Sequence, residues 1–404
     1  MDNATPLASK RNTAAKIGVA ALYALVFALL CWLFFNHLRN NFVNDTAAHV
    51  ETVLRGHAGY SLAHYLIGIC CRLPCPRGVL SVMLAAFSLG TALGMAVYLR
   101  SRAGARWSVP LLFFLGLALV FTGNLWIPEF FPHFYTHYTK VSQPWHNSTY
   151  LLMRFFSVLV LALYFKLFDQ ARQNAFRIRD GLLFCVILTL CNYAKPNFFL
   201  AFAPSAIVVF AWLLVAARGK NAAALFKWGC CFILSAICMV FMFRIVYEPG
   251  SHSSIAFSSE NFVDYVFGNK GVDGHRGQFW ICEFSNLFFP LYVLATFVAL
   301  KLLKRGVEFN RLLQGFLIFL FGHLEQLFLV EDGPRRYHGN YAWGVYCVGM
   351  LLFLVCLAEW LRAYDKKQLQ SKLVFGLGLA IFAAHILGGF VYFVILCRGL
   401  GFVL

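Results

Sequence analysis

Ile17-Gly18-Val19-Ala20-Ala21-Leu22-Tyr23-Ala24-Leu25-Val26-Phe27-Ala28-Leu29-Leu30-Cys31-Trp32-Leu33-Phe34-Phe35 runs for nineteen residues without a charge. At about 1.5 Å per helical residue, such a run crosses the roughly 30 Å hydrocarbon core of a bilayer. Lys16 precedes it, and no small-residue cleavage site follows before His37-Leu38-Arg39-Asn40, so it reads as a retained span rather than a signal peptide. Similar runs recur. They predict an all-α polytopic membrane protein with about eleven transmembrane helices, near 17–36, 78–99, 107–127, 150–168, 181–195, 197–217, 224–246, 284–302, 312–330, 341–362 and 372–396.

Composition agrees with this class. Sixty per cent of the 404 residues are hydrophobic and only 13% are charged, with a mean hydropathy of +0.69, whereas a soluble chain is about a quarter charged. No polar stretch is long enough for a soluble core, so the chain is expected to be one transmembrane domain from residue 1 to 404. The net charge of +17 is distributed as topology. With the N-terminus inside, the short inner segments hold 21 of the 34 basic residues, among them Lys10, Arg11, Lys16, Arg100, Arg102, Arg106, Arg362, Lys366, Lys367 and Lys372. The outer side, with its longer loops and the outer part of the span that carries Glu325, holds 11 of the 17 acids. This is the positive-inside pattern, and it excludes nucleic acid as the partner that the charge would otherwise suggest. Ten of the thirteen cysteines lie in or beside apolar spans, while Cys70, Cys71 and Cys75 fall in the first outer loop, where a disulfide and free thiols are both compatible with the sequence.

The outer side is the chemically rich one. Its loops, about 37–77, 128–149, 247–283 and 331–340, contain or border ten of the twelve histidines, and a rigid scaffold carrying polar loops is where chemistry tends to be placed. In the first loop, Asn44-Asp45-Thr46 reads as a helix start with a short helix from Thr46 to Arg55. The apolar stretch Tyr60 to Leu73 is too short to span and reads as interfacial or re-entrant.

Four groups of residues are candidates for function. Asp45, with His49 one turn later and Glu51 nearby, is placed to deprotonate an acceptor hydroxyl at the membrane surface; Asp is equally a preferred N-cap. Trp145-His146-Asn147-Ser148-Thr149-Tyr150 offers the ring face and polar groups of a sugar-binding rim, where an interfacial aromatic belt would account for Trp and Tyr but not for His and Asn. Arg154 and Lys195 are charges near membrane depth, where a charge faces a wet cavity or a partner, or snorkels to the headgroups. The string from Glu331 to Gly344 brings Arg335, Arg336 and His338 to the outer surface; paired guanidinium groups suit a lipid phosphate or diphosphate, although Glu331, Asp332 or anionic headgroups are also available to them. His323 and Glu325, within the ninth span (312–330) that precedes this string, point to different faces and need separate partners, with Glu325 suited to a vestibule floor.

On these features the chain resembles the GT-C superfamily of bacterial polyprenyl-phosphate-sugar-dependent membrane glycosyltransferases. The likeness covers the general plan: an inside N-terminus, about eleven spans, and a long first outer loop with two interfacial helices. The resemblance implies an inverting, metal-independent glycosyltransferase of the bacterial inner membrane, with its site on the periplasmic or extracellular face. Its substrate would be a polyprenyl-linked sugar donor, with no further cofactor, and its partners a glycan, lipid or protein acceptor and the membrane lipids. Asp45 matches the first-loop base of that superfamily, and Arg335, Arg336, Lys195 and Arg154 stand where carrier phosphate is held. A polysaccharide polymerase or ligase, or a lipid-linked sugar flippase, are the alternatives. Transport is disfavoured because charges are rare in span centres and concentrate at outer ends.

Overall fold

The structure, a computed structural model, describes residues 6–39, 45–56, 59–125, 145, 147–246, 254–267, 278–332 and 340–397. The chain begins with α1 (Pro6–Arg39), apolar enough to span from Thr13 onwards. The segment between α1 and the next long helix folds as two short helices, α2 (Asp45–Leu54) and α3 (Leu62–Cys71). α4 (Pro76–Arg102) opens on a proline, whose missing N–H costs nothing in a first turn. α5 (Val109–Leu119) is capped by Ser108, whose Oγ accepts the Leu111 N–H. α6 (Ser148–Arg172) is capped by Asn147. α7 (Ile178–Ala194) and α8 (Asn197–Ala216) are separated only by Lys195 and Pro196.

α9 (Ala222–Cys230) and α10 (Ile233–Val246) follow as one apolar run. Next come β1 (Ser254–Phe257), α11 (Ser259–Phe267), α12 (Gln278–Leu302) and α13 (Asn310–Phe328). β2 (Leu329–Asp332), α14 (Ala342–Asp365) and α15 (Lys372–Cys397) complete the described chain.

Among the described residues, eight helices are long and apolar enough to cross a membrane: α1, α4, α6, α8, α9 with α10, α12, α14 and α15. The other three stretches read as spans are helical too, but α5 has only 11 residues, α7 has 17, and α13 has 19. Their boundaries also move. α7 ends at Ala194, which leaves Lys195 outside the helix, and α13 ends at Phe328 rather than 330. The chain leaves α13 because Leu329 is extended and its backbone pairs with another strand.

That pairing is the departure from an all-α fold. β1 and β2 are antiparallel, with Ser254 opposite Asp332 and Phe257 opposite Leu329. Phe328 is stacked between Phe257 and Phe262, with ring centroids 5.2 and 5.1 Å apart. The Asn261 amide donates to the carbonyls of Gln326 and Leu327 at 3.1 and 3.0 Å, pairing two of the terminal carbonyls of α13. β1 and α11 are thereby tied to the end of α13.

α14 is the central helix, with 94% of its most apolar window buried, whereas only 11% of the Ala222–Val246 window is buried at the periphery. Inside a bilayer, close packing rather than exclusion of water holds helices together, so small residues mark the tight crossings. A Cβ on Gly116 would lie 2.7 Å from the Ala92 carbonyl of α4, and one on Gly322 would lie 2.6 Å from Val348 of α14. At the end where α14 terminates, the helices are joined by charge. Arg102 donates to Glu359 at 3.1 Å, Arg362 donates to Glu308 and Glu359 at 2.7 and 3.3 Å, Lys166 pairs with Asp180 at 2.7 Å, and Arg311 pairs with Asp169. The candidate site lies at the opposite end, about 33 Å away along α14.

Candidate functional site

Asn147 organises the site. As the N-cap of α6, its Oδ1 accepts the Tyr150 N–H at 2.8 Å and the Thr149 hydroxyl at 2.6 Å. With the oxygen committed, its Nδ2 faces outward and donates to Asp45 Oδ2 at 2.7 Å. Asp45 opens α2, where the helix dipole also favours its negative charge. His49 lies one turn along the same face of α2, its Nδ1 2.8 Å from Ser148 Oγ. The His49 ring packs on His64 at 4.9 Å, and His64 Nδ1 is 2.6 Å from Ser61 Oγ, so α2 and α3 are both docked on the start of α6.

Burial pushes the His49 pKa down to about 3, helped by the neighbouring charges of His64 and Lys195 and opposed by Asp45. Burial likewise brings His64 down to about 4, with Lys195 adding to it. Both rings are therefore neutral at neutral pH, and an imidazole so hard to protonate is a weak proton acceptor. Glu51 turns to the other side of α2, where it pairs with Arg55 at the surface.

Lys195 reaches the same region from the turn between α7 and α8. Its Nζ donates to Thr149 Oγ1 at 3.3 Å and sits 5.0 Å over the Trp343 ring. Behind it, Asn197 Nδ2 donates to Glu325 Oε1 at 2.7 Å and to the Asn340 carbonyl at 3.0 Å, while Asn340 Nδ2 donates to Glu331 Oε2 at 2.6 Å. A cavity of about 90 Å³ opens among Thr149, Lys195, Asn197, Glu331 and Asn340. Glu325 forms part of the buried wall beside it. Its Oε2 lies where a side chain on residue 344 would intrude, since a Cβ on Gly344 would come within 2.3 Å of that oxygen. His323 takes the other direction and pairs with Glu283 at 2.8 Å.

Arg154 stands two turns down α6 on the face of Asn147. It is fully buried, and among the described residues none of its three guanidinium nitrogens has a hydrogen-bond partner. Its guanidinium lies over Trp145, 5.7 Å from the ring centroid. Trp145 is itself 1% exposed, with an indole N–H that finds no acceptor among the described residues, and it is enclosed by Phe34, Phe121 and Phe393. Trp145 therefore cannot be the open stacking platform expected of a sugar-binding rim; its rings are used in packing and in covering Arg154. Asn147 is 2% exposed and committed to its cap and to Asp45, which removes it from the rim as well. Arg335, Arg336, His338 and His146 lie outside the described residues.

The structure thus gathers Asp45, His49, Asn147, Lys195 and Glu325 at one end of the bundle, with Arg154 beneath them. It adds Ser148, Thr149, Asn197, Glu331, Asn340 and Trp343, which sequence reasoning left without roles although most stand in strings it singled out. Among the described residues no group of three or more His, Cys, Asp or Glu side chains is placed to hold a metal ion. All thirteen cysteines, including Cys70, Cys71 and Cys75, are free thiols. Comparisons with protein-family models, with curated proteins and with solved structures found no match for the chain.

Lys195 gives the site a pH dependence. Burial pushes its pKa down to about 8, against the opposing pull of Asp45, Glu331 and Glu325, which favour the ammonium form. Below that pH the side chain is charged, and above it the charge is lost. An activity that needs this cation should hold from about pH 6 to 7.5 and decline as pH rises through about 8. In Lys195→Arg the decline should move beyond that range, because a guanidinium stays charged. An alkaline limb identical in both proteins would take Lys195 out of the chemistry.

Proposed function

We propose that this protein is a membrane glycosyltransferase that moves a sugar from a polyprenyl-linked phosphate or diphosphate to an acceptor at the outer face of the bacterial plasma membrane. The observation that carries the reading is the juxtaposition at one bundle end of a carboxylate held by an amide, Asp45 on Asn147, with the Lys195 ammonium that it influences electrostatically. In this reading Asp45 takes the proton from an acceptor hydroxyl as its oxygen bonds to the anomeric carbon. The bond from that carbon to the carrier phosphate breaks with inversion, and the electron pair leaves on phosphate. Lys195 and Arg154 stabilise the developing charge, as fixed cations do for leaving phosphates. Asn197, Glu331 and Asn340 offer amide and carboxylate groups to sugar hydroxyls. The test is transfer of radiolabelled sugar from a polyprenyl-linked donor by the purified protein in liposomes, alongside mass spectrometry of surface glycans with and without the gene. A glycan profile that does not change would defeat the proposal.

The proposal includes eleven spans, with α5, α7 and α13 completing the eight longer ones, and a cytoplasmic N-terminus. In a background lacking the native cysteines, Asn340→Cys should react with an impermeant thiol reagent added outside intact cells. Gln368→Cys should react only after the membrane is opened. The reverse pattern would invert the topology and remove the outer-face site with it.

A further inference from the structure

The end of the bundle away from Asp45 carries a second recess. Between α12 and the segment joining α14 to α15 lies a cavity of 620 Å³, within the roughly 300–1,000 Å³ of ligand-binding pockets. Its floor is one face of α12 and the turn that follows it, where Tyr292, Ala295, Ala299 and Leu303 follow helical spacing. The two alanines leave a furrow between the larger side chains, and this furrow runs for about 16 Å along the helix axis.

The polar end of the recess differs in kind. Arg305, Gln368, Gln370 and Ser371 line it, and no carboxylate does. Lys301, Lys304 and Lys372 are exposed on the flanking turns. The acids at this end are engaged elsewhere: Glu308 and Glu359 hold Arg362, and Asp365 accepts the Arg106 backbone N–H at 3.2 Å. The recess is therefore an apolar furrow that ends in the Arg305 cation and neutral polar groups, with no carboxylate among its described lining residues.

We infer that this recess is a binding site for an anionic phospholipid of the leaflet at that end, one acyl chain lying along the α12 furrow and the phosphate meeting Arg305. A zwitterionic lipid would fill the furrow equally well but leave the excess positive charge uncompensated, so the head group decides the choice. The inference is independent of the glycosyltransferase reading, because it uses neither Asp45 nor any residue at the other end.

The test uses the full-length protein, delipidated in detergent and titrated with phosphatidylglycerol or with phosphatidylcholine of the same chains, with binding read by native mass spectrometry. Phosphatidylglycerol should be retained at least about tenfold more tightly. Arg305→Gln should weaken that binding about fivefold, the effect of removing one basic residue near a charged lipid head. Ala299→Trp, at an exposed position on the furrow floor, should abolish binding of either lipid with no change in melting temperature. Glycerol phosphate, the head group without its chains, should not compete. Equal retention of the two lipids, unchanged binding by Ala299→Trp, or competition by glycerol phosphate would each overturn the assignment.

Discussion

Asp45→Asn should lower turnover by about 10²–10⁴, the cost of removing a positioned general base, without loss of expression or melting temperature. The substitution separates chemistry from architecture because of what Asp45 touches. Asn147 donates its amide to Asp45 Oδ2, and an asparagine at position 45 still offers a carbonyl oxygen to that donor. Asn is also about as good as Asp at a helix start. What it cannot do is accept a proton at neutral pH. Asp45→Ala makes the complementary measurement. It leaves the buried Asn147 amide without that acceptor, so it should cost about 1–3 kcal/mol of stability in addition to activity. Wild-type turnover from the Asn variant would show Asp45 to be structural. No neighbour on α2 would then inherit the role, since His49 is half-buried and neutral and Glu51 turns away to pair with Arg55.

Long-range periodicity made most of the fold legible. Apolar runs such as Ile17–Phe35 and Tyr341–Arg362 need no partner to declare themselves, because a bilayer fixes their length. The short α2 and α3 were also readable, the first from Asn44-Asp45-Thr46 and the second from an apolar stretch closed by Pro74-Cys75-Pro76. The β1–β2 pair was not. Each strand has only four residues, the partners are some 75 positions apart, and neither shows the alternation that marks a half-buried strand. The end of α13 was misplaced for a related reason: Leu329 and Val330 are apolar, so hydropathy continues past Phe328 although the backbone there has turned to pair with β1.

Within the site, sequence reasoning found residues more readily than roles. Trp145 and Asn147 stood out as a rim because Trp, His and Asn cluster at a span edge. What the sequence could not show is direction. Trp145 turns inward to Phe34, Phe121 and Phe393, and Asn147 spends its oxygen on the cap of α6 before reaching Asp45. Conversely, Asn197 and Asn340 had no role in the sequence reading, yet together they bridge Glu325 and Glu331 across three elements. Such links depend on packing between distant segments, which no local pattern encodes.

Arg154→Met should leave the protein at least as heat-stable as the wild type while reducing donor use by about 10²-fold, and the divergence of the two readings is the point. A guanidinium buried without hydrogen-bond partners costs free energy that a structural residue would not be expected to carry. Met is similar in length, unbranched and polarisable, so it can occupy the same space beside Trp145 without opening a large cavity. Replacing buried charge by apolar bulk is often neutral or stabilising, by about 1 kcal/mol or more. If the nitrogens of Arg154 serve the departing phosphate, the loss falls on function instead. Two charge-assisted hydrogen bonds at about 1.5 kcal/mol each correspond to roughly two orders of magnitude. Arg154→Lys should recover only part of the activity, because an ammonium cannot reproduce the planar fork. A variant that melts several degrees lower would assign Arg154 to packing against Trp145, and one that is stable and fully active would remove it from the site.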